Sequence, residues 1–285
     1  LTTSLPHELL GAQRPRLSSV PPSVSSAGGE AADLAASVGL HLDPWQRHVL
    51  DGALGERSDG KWAAFEVGLL VSRQNGKGSI LEARELAGLF LFGERLILHS
   101  AHEFKTAQEA FRRVLSLVDN FDHLRKRVSR VRTSHGEEGI ELSTGQRLRF
   151  VARSGGSGRG FTGDTIILDE AMVLGPDAMA ALLPTLSARP NPQLWYTASA
   201  GMAGSEQLRR VRERGIAGGD PGLAWFEWSA ADDASLDDPQ AWAQANPALG
   251  IRISQEFVQR ERAAMPEAEF ARERLGIWES IGGGV

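Results

Sequence analysis

The 285-residue chain contains no cysteine, so disulfides and thiolate metal sites are excluded, and an intracellular setting is the simplest reading. It also lacks a long apolar run: LAGLFLF (Leu86 to Phe92) falls far short of a membrane span. No basic-then-apolar leader opens the chain, and no internal repeat is visible. Positive charge is not in excess. A formal net charge of −5 argues against a protein that coats nucleic acid by bulk charge, although a local basic track stays open. The chain begins with Leu rather than Met and ends IGGGV, as expected of a trimmed chain. What is present is globular material, 41% hydrophobic and 24% charged, long enough for one large core with a small appendage.

Residues 1–30 are rich in Pro, Ser and Gly and read as an extended or poorly ordered arm. Structure is expected from about Ala31, with a helix over LDPWQRHVLDGAL that Asp43 caps and Pro44 starts. From Trp62 onward, strand and helix patterns alternate. WAAFEVGLLVS reads as a strand, GKGSILEARELAGLFLF as a helix, RLILHSA as a strand and Lys105 to Val118 as a helix. GIELSTGQRLRFVA reads as two strands around a Thr-Gly turn, and TIILD as a central parallel strand covered on both faces. A helix over Pro176 to Leu186, a buried run QLWYTASA and a last strand AWFEWSA complete an α/β pattern, predicting a mainly parallel sheet with helices on both faces. After Ala231 only helical patterns remain. The expected division is a body over 31–231, a helical unit over 232–280 and a tail at 281–285.

Two segments carry the chemistry. SRQNGKGS (Ser72, Arg73, Gln74, Asn75, Gly76, Lys77, Gly78, Ser79) lies between a strand and a helix, the setting of a phosphate-binding P-loop, where backbone amides curl round the phosphates and a Lys reaches the β/γ oxygens. It departs from the usual pattern twice. Val71 stands where the first Gly is expected, and Gly78 follows Lys77, so the hydroxyl of Ser79 comes one place late for Mg2+. The second segment, TIILDEA, puts Asp169 and Glu170 at the carboxyl end of a strand, where open α/β sheets bind ligands. Asp169 suits Mg2+, directly or through water, and Glu170 suits a general base for an attacking water. A helix cap is the competing reading of a lone Asp-Glu pair, and the upstream P-loop pattern outweighs it.

Other residues are open to two readings. Arg73 lies inside the loop, within reach of a γ-phosphate or of solvent. Arg153 precedes the Gly-rich SGGSGRGF and Arg159 lies within it, shortly before the acidic strand; the glycines could carry an arginine to a neighbouring phosphate or stay uninvolved. Thr197 and Ser199 suit a γ-phosphate sensor or strand-end capping. Trp45 and Gln46 offer an aromatic face and an amide for adenine, while Trp45 suits the core equally. RKRVSRVR, with Arg125, Lys126, Arg127, Arg130 and Arg132, is the densest basic stretch, a candidate DNA track or a solvated face. The acidic run Asp232, Asp233, Asp237 and Asp238 reads as a solvated, capping loop rather than a metal site.

Taken in order, SRQNGK, LILHSAHEFKTAQEAF, SGRGF, IILDEA and YTASA resemble the ATPase domain of tailed-phage large terminases. WAQANPALG, ISQEF and FARERLGIW resemble that family's helical lid or linker subdomain, so the likeness covers about 40–280. The resemblance implies a P-loop fold of the additional-strand, catalytic-glutamate type and a motor that hydrolyses ATP with Mg2+ to drive double-stranded DNA into a capsid. It implies a homo-oligomeric ring, expected as a pentamer, docked on the portal protein of the procapsid in the host cytoplasm. A small terminase subunit is the further implied partner, and no membrane is involved. By the same resemblance, Lys77 binds phosphate, Asp169 serves Mg2+, Glu170 is the base and Arg73 is the loop arginine. Arg159 is then the finger acting on the adjacent subunit's ATP, and Thr197 and Ser199 couple hydrolysis to movement. The nuclease domain of complete large terminases is expected to be absent, and with it nuclease activity. Two alternatives remain: another P-loop translocase of helicase type, and a non-catalytic nucleotide-gated assembly module.

Overall fold

The computed structural model describes residues 9–153 and 163–279. In chain order the strands and helices are β1 (Leu17–Ser19), β2 (Ser25–Ser26), α1 (Gly28–Ser37), α2 (Pro44–Ala53), β3 (Gly55–Glu56), β4 (Glu66–Leu70), α3 (Lys77–Phe90) and β5 (Leu96–Ala101). There follow α4 (Phe104–Asp119), α5 (Asp122–Arg125), β6 (Val128–Arg132), β7 (Gly139–Leu142), β8 (Arg147–Ala152), β9 (Thr165–Asp169), α6 (Pro176–Leu186) and β10 (Gln193–Ala198). The chain continues through α7 (Glu206–Ala217), β11 (Leu223–Glu227), α8 (Pro239–Ala245), α9 (Gln255–Ala264) and α10 (Glu267–Leu275).

Nine strands form one sheet in the order β1-β11-β4-β10-β9-β5-β8-β7-β6. The six from β11 to β8 run parallel, and the outer strands are antiparallel. The α/β expectation holds, and β10 stands between the strand that leads into SRQNGKGS and the strand that ends in Asp169. Side chains alternate across these buried strands. Ile167 and Trp195 pack with α1, α2 and α3, whereas Ile166, Leu168, Leu194 and Tyr196 pack with α6 and α7. Both faces are covered, which explains the continuous apolar reading of TIILD and LWYTA. A separate apolar cluster joins Trp242, Leu249, Val258, Phe270 and Leu275 of the C-terminal segment. Among the described residues, no helix is long and apolar enough to cross a membrane.

The N-terminal arm departs from expectation. Residues 9–26 are bound to the rest of the chain: Gly11 and Ala12 donate backbone hydrogen bonds to Leu249 and Ala243 of the C-terminal segment, and β1 pairs with β11. The Arg16 guanidinium donates to the Ser229 carbonyl at 2.8 Å. Proline and serine composition marks an extended path, but backbone groups at an open sheet edge still capture it. Three further elements had no strong local signal. The basic stretch ends in the edge strand β6, α7 fills the space before β11, and α1 begins at Gly28, three residues ahead of the expected start.

Candidate active site

β4 ends at Leu70, and the chain then turns through Ser72 to Gly76 before α3 begins at Lys77. The turn needs left-handed backbone at Gln74 (φ 65°) and at Gly76 (φ 101°), and glycine alone takes such a φ without steric cost. A side chain at Gly76 would also come within 2.9 Å of both the Arg252 guanidinium and the Gln46 amide. The amides at the start of α3 have no carbonyl four residues back, so they face outward at the positive end of the helix dipole. That is a seat for an anion.

Across the turn, Lys77 Nζ contacts Asp169 Oδ1, and Thr197 donates its hydroxyl to the same oxygen at 2.7 Å. Register explains the second contact, because Thr197 sits directly opposite Asp169 in the β10–β9 pairing. Burial by itself would push the Asp169 carboxyl up. The cations Lys77 and His99, with the hydrogen bonds from Lys77 and Thr197, outweigh it and hold the group well below the usual carboxylate range. His99 is raised in turn: burial opposes its charge, but the buried Glu85 carboxylate in contact with Nδ1 prevails.

Glu170 follows in a left-handed conformation (φ 55°, ψ 43°), uncommon for a residue with a side chain. Its carboxylate is held by the start of α4. Oε2 accepts from the His102 and Glu103 amides at 3.0 and 3.2 Å, and Oε1 accepts from the Thr106 hydroxyl at 3.1 Å. Lys77, Asp169, Glu170, Thr106, Ser199 and Ser72 to Asn75 line one cavity of about 230 Å³. The structure therefore brings both motif segments and the end of β10 together.

Several expected site residues lie elsewhere. Trp45 is fully buried and packs edge-on against Trp228 at 5.1 Å, so it has no face for adenine. Gln46 is buried as well: it accepts the Asp43 amide as part of the helix cap and donates to the Gly76 carbonyl at 2.8 Å, bracing the loop from behind. Ser79 lines a second cavity of about 350 Å³ with Gly78, Glu82 and Arg113, not the cavity that holds Asp169. Arg73, by contrast, does line the first cavity, although its side chain is exposed and pairs with Glu273 of α10 at 2.8 Å. Arg159 lies outside the described residues. The basic stretch is at the far edge of the sheet, four strands from β9. There Arg125, Lys126 and Arg130 are exposed, Arg132 pairs with Glu141 at 2.7 Å, and Arg127 caps the Phe90 carbonyl at 3.1 Å. In the acidic run, Asp238 caps α8 and Asp237 pairs with Arg262.

Two sets of contacts at the site were not foreseen: Arg153, a candidate for a neighbouring phosphate, binds backbone instead, and the C-terminal segment reaches the loop. Arg153 donates to the Asp169 and Glu170 carbonyls, and the C-terminal helices clamp the loop. Asn246 accepts from the Asn75 amide at 3.0 Å, Ala248 N–H donates to Asn75 Oδ1 at 3.0 Å, and Arg252 donates to the Asn75 carbonyl at 2.6 Å. Ser72 donates to the Arg274 carbonyl at 2.9 Å. Asn246 belongs to the ANPALG segment, the one clue to this clamp in the chain.

Residues suited to Mg2+ are few. Among the described residues, no cluster of three His, Asp or Glu could hold a metal. Of the two carboxylates in the cavity, Glu170 is held by the start of α4, which leaves Asp169 as the one suited to a Mg2+ that takes most of its ligands from phosphate and water.

The likeness to known proteins agrees with this geometry. The terminase large subunit of Enterobacteria phage HK97 is 25% identical over 251 residues, 85% of this chain and 49% of that protein. The crystal structure of the HK97 large terminase superposes with a TM-score of 0.74 at 20% identity, over 88% of this chain and 55% of that one. The fold is that of a large-terminase ATPase domain. A variant of the large terminase ATPase domain from Thermus phage P74-26 matches with a TM-score of 0.59 and 16% identity, over 76% of this chain and 90% of that domain. The large terminase of a thermophilic bacteriophage in complex with ADP matches at 0.51 and 13% identity, over 75% and 48%. No family model matches. The chain spans about half the length of the curated terminase it matches, 49%. The terminase resemblance of the motifs is thus upheld in sequence and in fold.

Proposed function

We propose that this chain is the ATPase portion of a phage terminase large subunit, hydrolysing ATP to move double-stranded DNA into a capsid through a portal. One observation carries the reading: Lys77 of the anion-binding turn meets Asp169 at the end of β9, with Thr197 bonded to the same oxygen and Glu170 next in line. The ADP-bound relative supports nucleotide as the ligand.

The triphosphate lies on the amides at the start of α3, and Lys77 turns from Asp169 to the β/γ oxygens. Asp169 would be the residue that holds Mg2+, which would supply charge neutralisation on the phosphates. Glu170 takes a proton from the attacking water as its oxygen bonds to the γ-phosphorus and the bond to the β-phosphate oxygen breaks, leaving ADP and phosphate. Arg73 and the neighbouring subunit's Arg159 stabilise charge on the transferring group. Thr197 and Ser199 report phosphate loss to the sheet, and the helices of 232–280 act as a lid on the body of 31–231. Arg125, Lys126 and Arg130 are the proposed DNA-facing cations, and a ring of copies on the portal is the working assembly. No nuclease site is assigned here.

The test compares ATP turnover of Glu170→Gln with the parent under ring-forming conditions. A fall of about 10³-fold is expected. Equal inactivity of both would favour a nucleotide-gated module, a reading that the missing hydroxyl at Gly78 otherwise supports. Mixing Arg159→Ala with Glu170→Gln subunits is expected to restore turnover at the interfaces that receive both intact groups, and no restoration would remove the trans role.

A further inference from the structure

We propose that Arg153 is a positioning residue for Glu170, a role that rests on the hydrolytic reading above. Its guanidinium closes a fork over three strand-end carbonyls: Ser100 at 2.6 Å from one terminal nitrogen, and Asp169 at 2.6 Å and Glu170 at 3.1 Å from the other. Ser100 is the next-to-last residue of β5, Asp169 is the last of β9 and Glu170 is the first beyond it, so the fork closes over backbone at the point where the two strands leave the sheet. A planar guanidinium with five donors in fixed directions suits that task, and a lysine ammonium matches it only in part.

The backbone it holds is the unusual one. Glu170 is one of two non-glycine residues with positive φ among the described residues, the other being Gln74 of the phosphate turn. A glutamate left to its own preferences relaxes to a right-handed or extended backbone, which re-aims its Cα–Cβ bond. Here two sets of bonds oppose that relaxation. Arg153 fixes the Asp169 and Glu170 carbonyls, and the His102 and Glu103 amides with Thr106 fix the carboxylate. Both sets are anchored at the end of β5, through Ser100 in the first and residues 102 and 103 in the second. Arg153 itself follows β8, so one side chain ties the ends of β8, β5 and β9 at the base of the carboxylate pair. None of its described bonds reaches the phosphate turn, and it does not line the cavity. Its removal should therefore affect the chemical step and spare nucleotide binding.

The experiment measures single-turnover MgATP hydrolysis, MgATP affinity and thermal unfolding for the parent, Arg153→Ala, Arg153→Lys and Glu170→Gln. Expected for Arg153→Ala is a hydrolysis rate at least about 10-fold below the parent, MgATP affinity within about 2-fold and a retained cooperative unfolding transition. Arg153→Lys should fall between parent and Ala, because an ammonium restores some of the carbonyl bonds. Hydrolysis within 2-fold of the parent in folded Arg153→Ala overturns the proposal, and so does a parallel loss of affinity and rate. Should Arg153→Ala fail to fold, the Lys variant decides by the same split between rate and affinity. Glu170→Gln separates the two levels of inference. If it is as active as the parent, the hydrolytic reading fails; if it alone is inactive, only the role of Arg153 fails.

Discussion

The same two strands and the same helix carry charged networks at both ends, and the two differ in kind. At the start of β9 and β10, Thr165 and Gln193 meet Arg84 of α3. Arg84 is bidentate to Glu94 at 3.0 and 2.7 Å and donates to Thr165 at 2.6 Å and Gln193 at 3.1 Å. At the far end of those strands, Asp169 and Thr197 meet Lys77, the first residue of α3. The Arg84 and Glu94 side chains are 0% and 8% exposed, whereas Lys77 and Asp169 are 23% and 13% exposed. Neither non-glycine left-handed residue belongs to the closed network, and both border the open one. A closed network whose groups are all paired fixes the register of helix on sheet. The open one keeps a cation and an anion facing each other, to be separated by the ligand under the proposed function, and strain is held there by surrounding bonds.

The largest effect expected from breaking this contrast is at the closed end. Arg84→Met strands the Glu94 carboxylate in the core, and urea unfolding should show a loss of about 3–5 kcal/mol, with nucleotide affinity of the folded protein unchanged. The double variant Arg84→Met/Glu94→Gln should recover part of that loss. At the open end, Lys77→Met should weaken MgATP binding by about 10- to 100-fold, the worth of roughly 1.5–3 kcal/mol in charged hydrogen bonds. Its stability cost, read by the same urea titration, should be smaller than that of Arg84→Met, since water already reaches Asp169.

A third prediction concerns acid. The Asp169 carboxyl is held below its ordinary value of 3.8, so its contribution to stability is present above that pH and is lost as pH falls further. Lys77→Met removes the leading cation and should flatten the acid limb of the stability–pH curve relative to the parent. An unchanged limb would show that His99 and Thr197 suffice. The smallest effect is at Gln74. Replacing it with Gly relieves the left-handed backbone at a cost in chain entropy, so stability should rise by about 1 kcal/mol or less.

What could be read in the chain divides along the same line. The buried strands and their helices follow from periodicity, because both faces of the sheet are covered and the apolar runs are unbroken. The P-loop and the acidic pair were legible because each is contiguous: Ser72 to Ser79 is one turn, and Asp169-Glu170 one strand end. The cradle of Glu170 was not, since it gathers His102, Glu103 and Thr106 from one segment and Arg153 from another, both distant in the chain, and half its donors are backbone amides. The sequence leaves Trp45 open between adenine and core because an aromatic residue near a P-loop suits either place. Its position at the second residue of α2, facing Trp228, decides for the core. The N-terminal arm misled for a related reason: composition reports chain stiffness, whereas the open edge of β11 decides whether the arm is captured.

The strand between the two halves of the site has a mechanical meaning. Because β10 separates β4 from β9, the phosphate turn and the acidic pair stand two strand spacings apart, roughly 9.5 Å. That gap is a gauge cut in backbone hydrogen bonds, too stiff to yield to the size of whatever enters it. Under the proposed function a polyphosphate has to match the gauge, and Thr197, near the tip of the strand that sets it, touches the acidic jaw directly. A change in what fills the gap is thus felt first by the part of the molecule that defines its width.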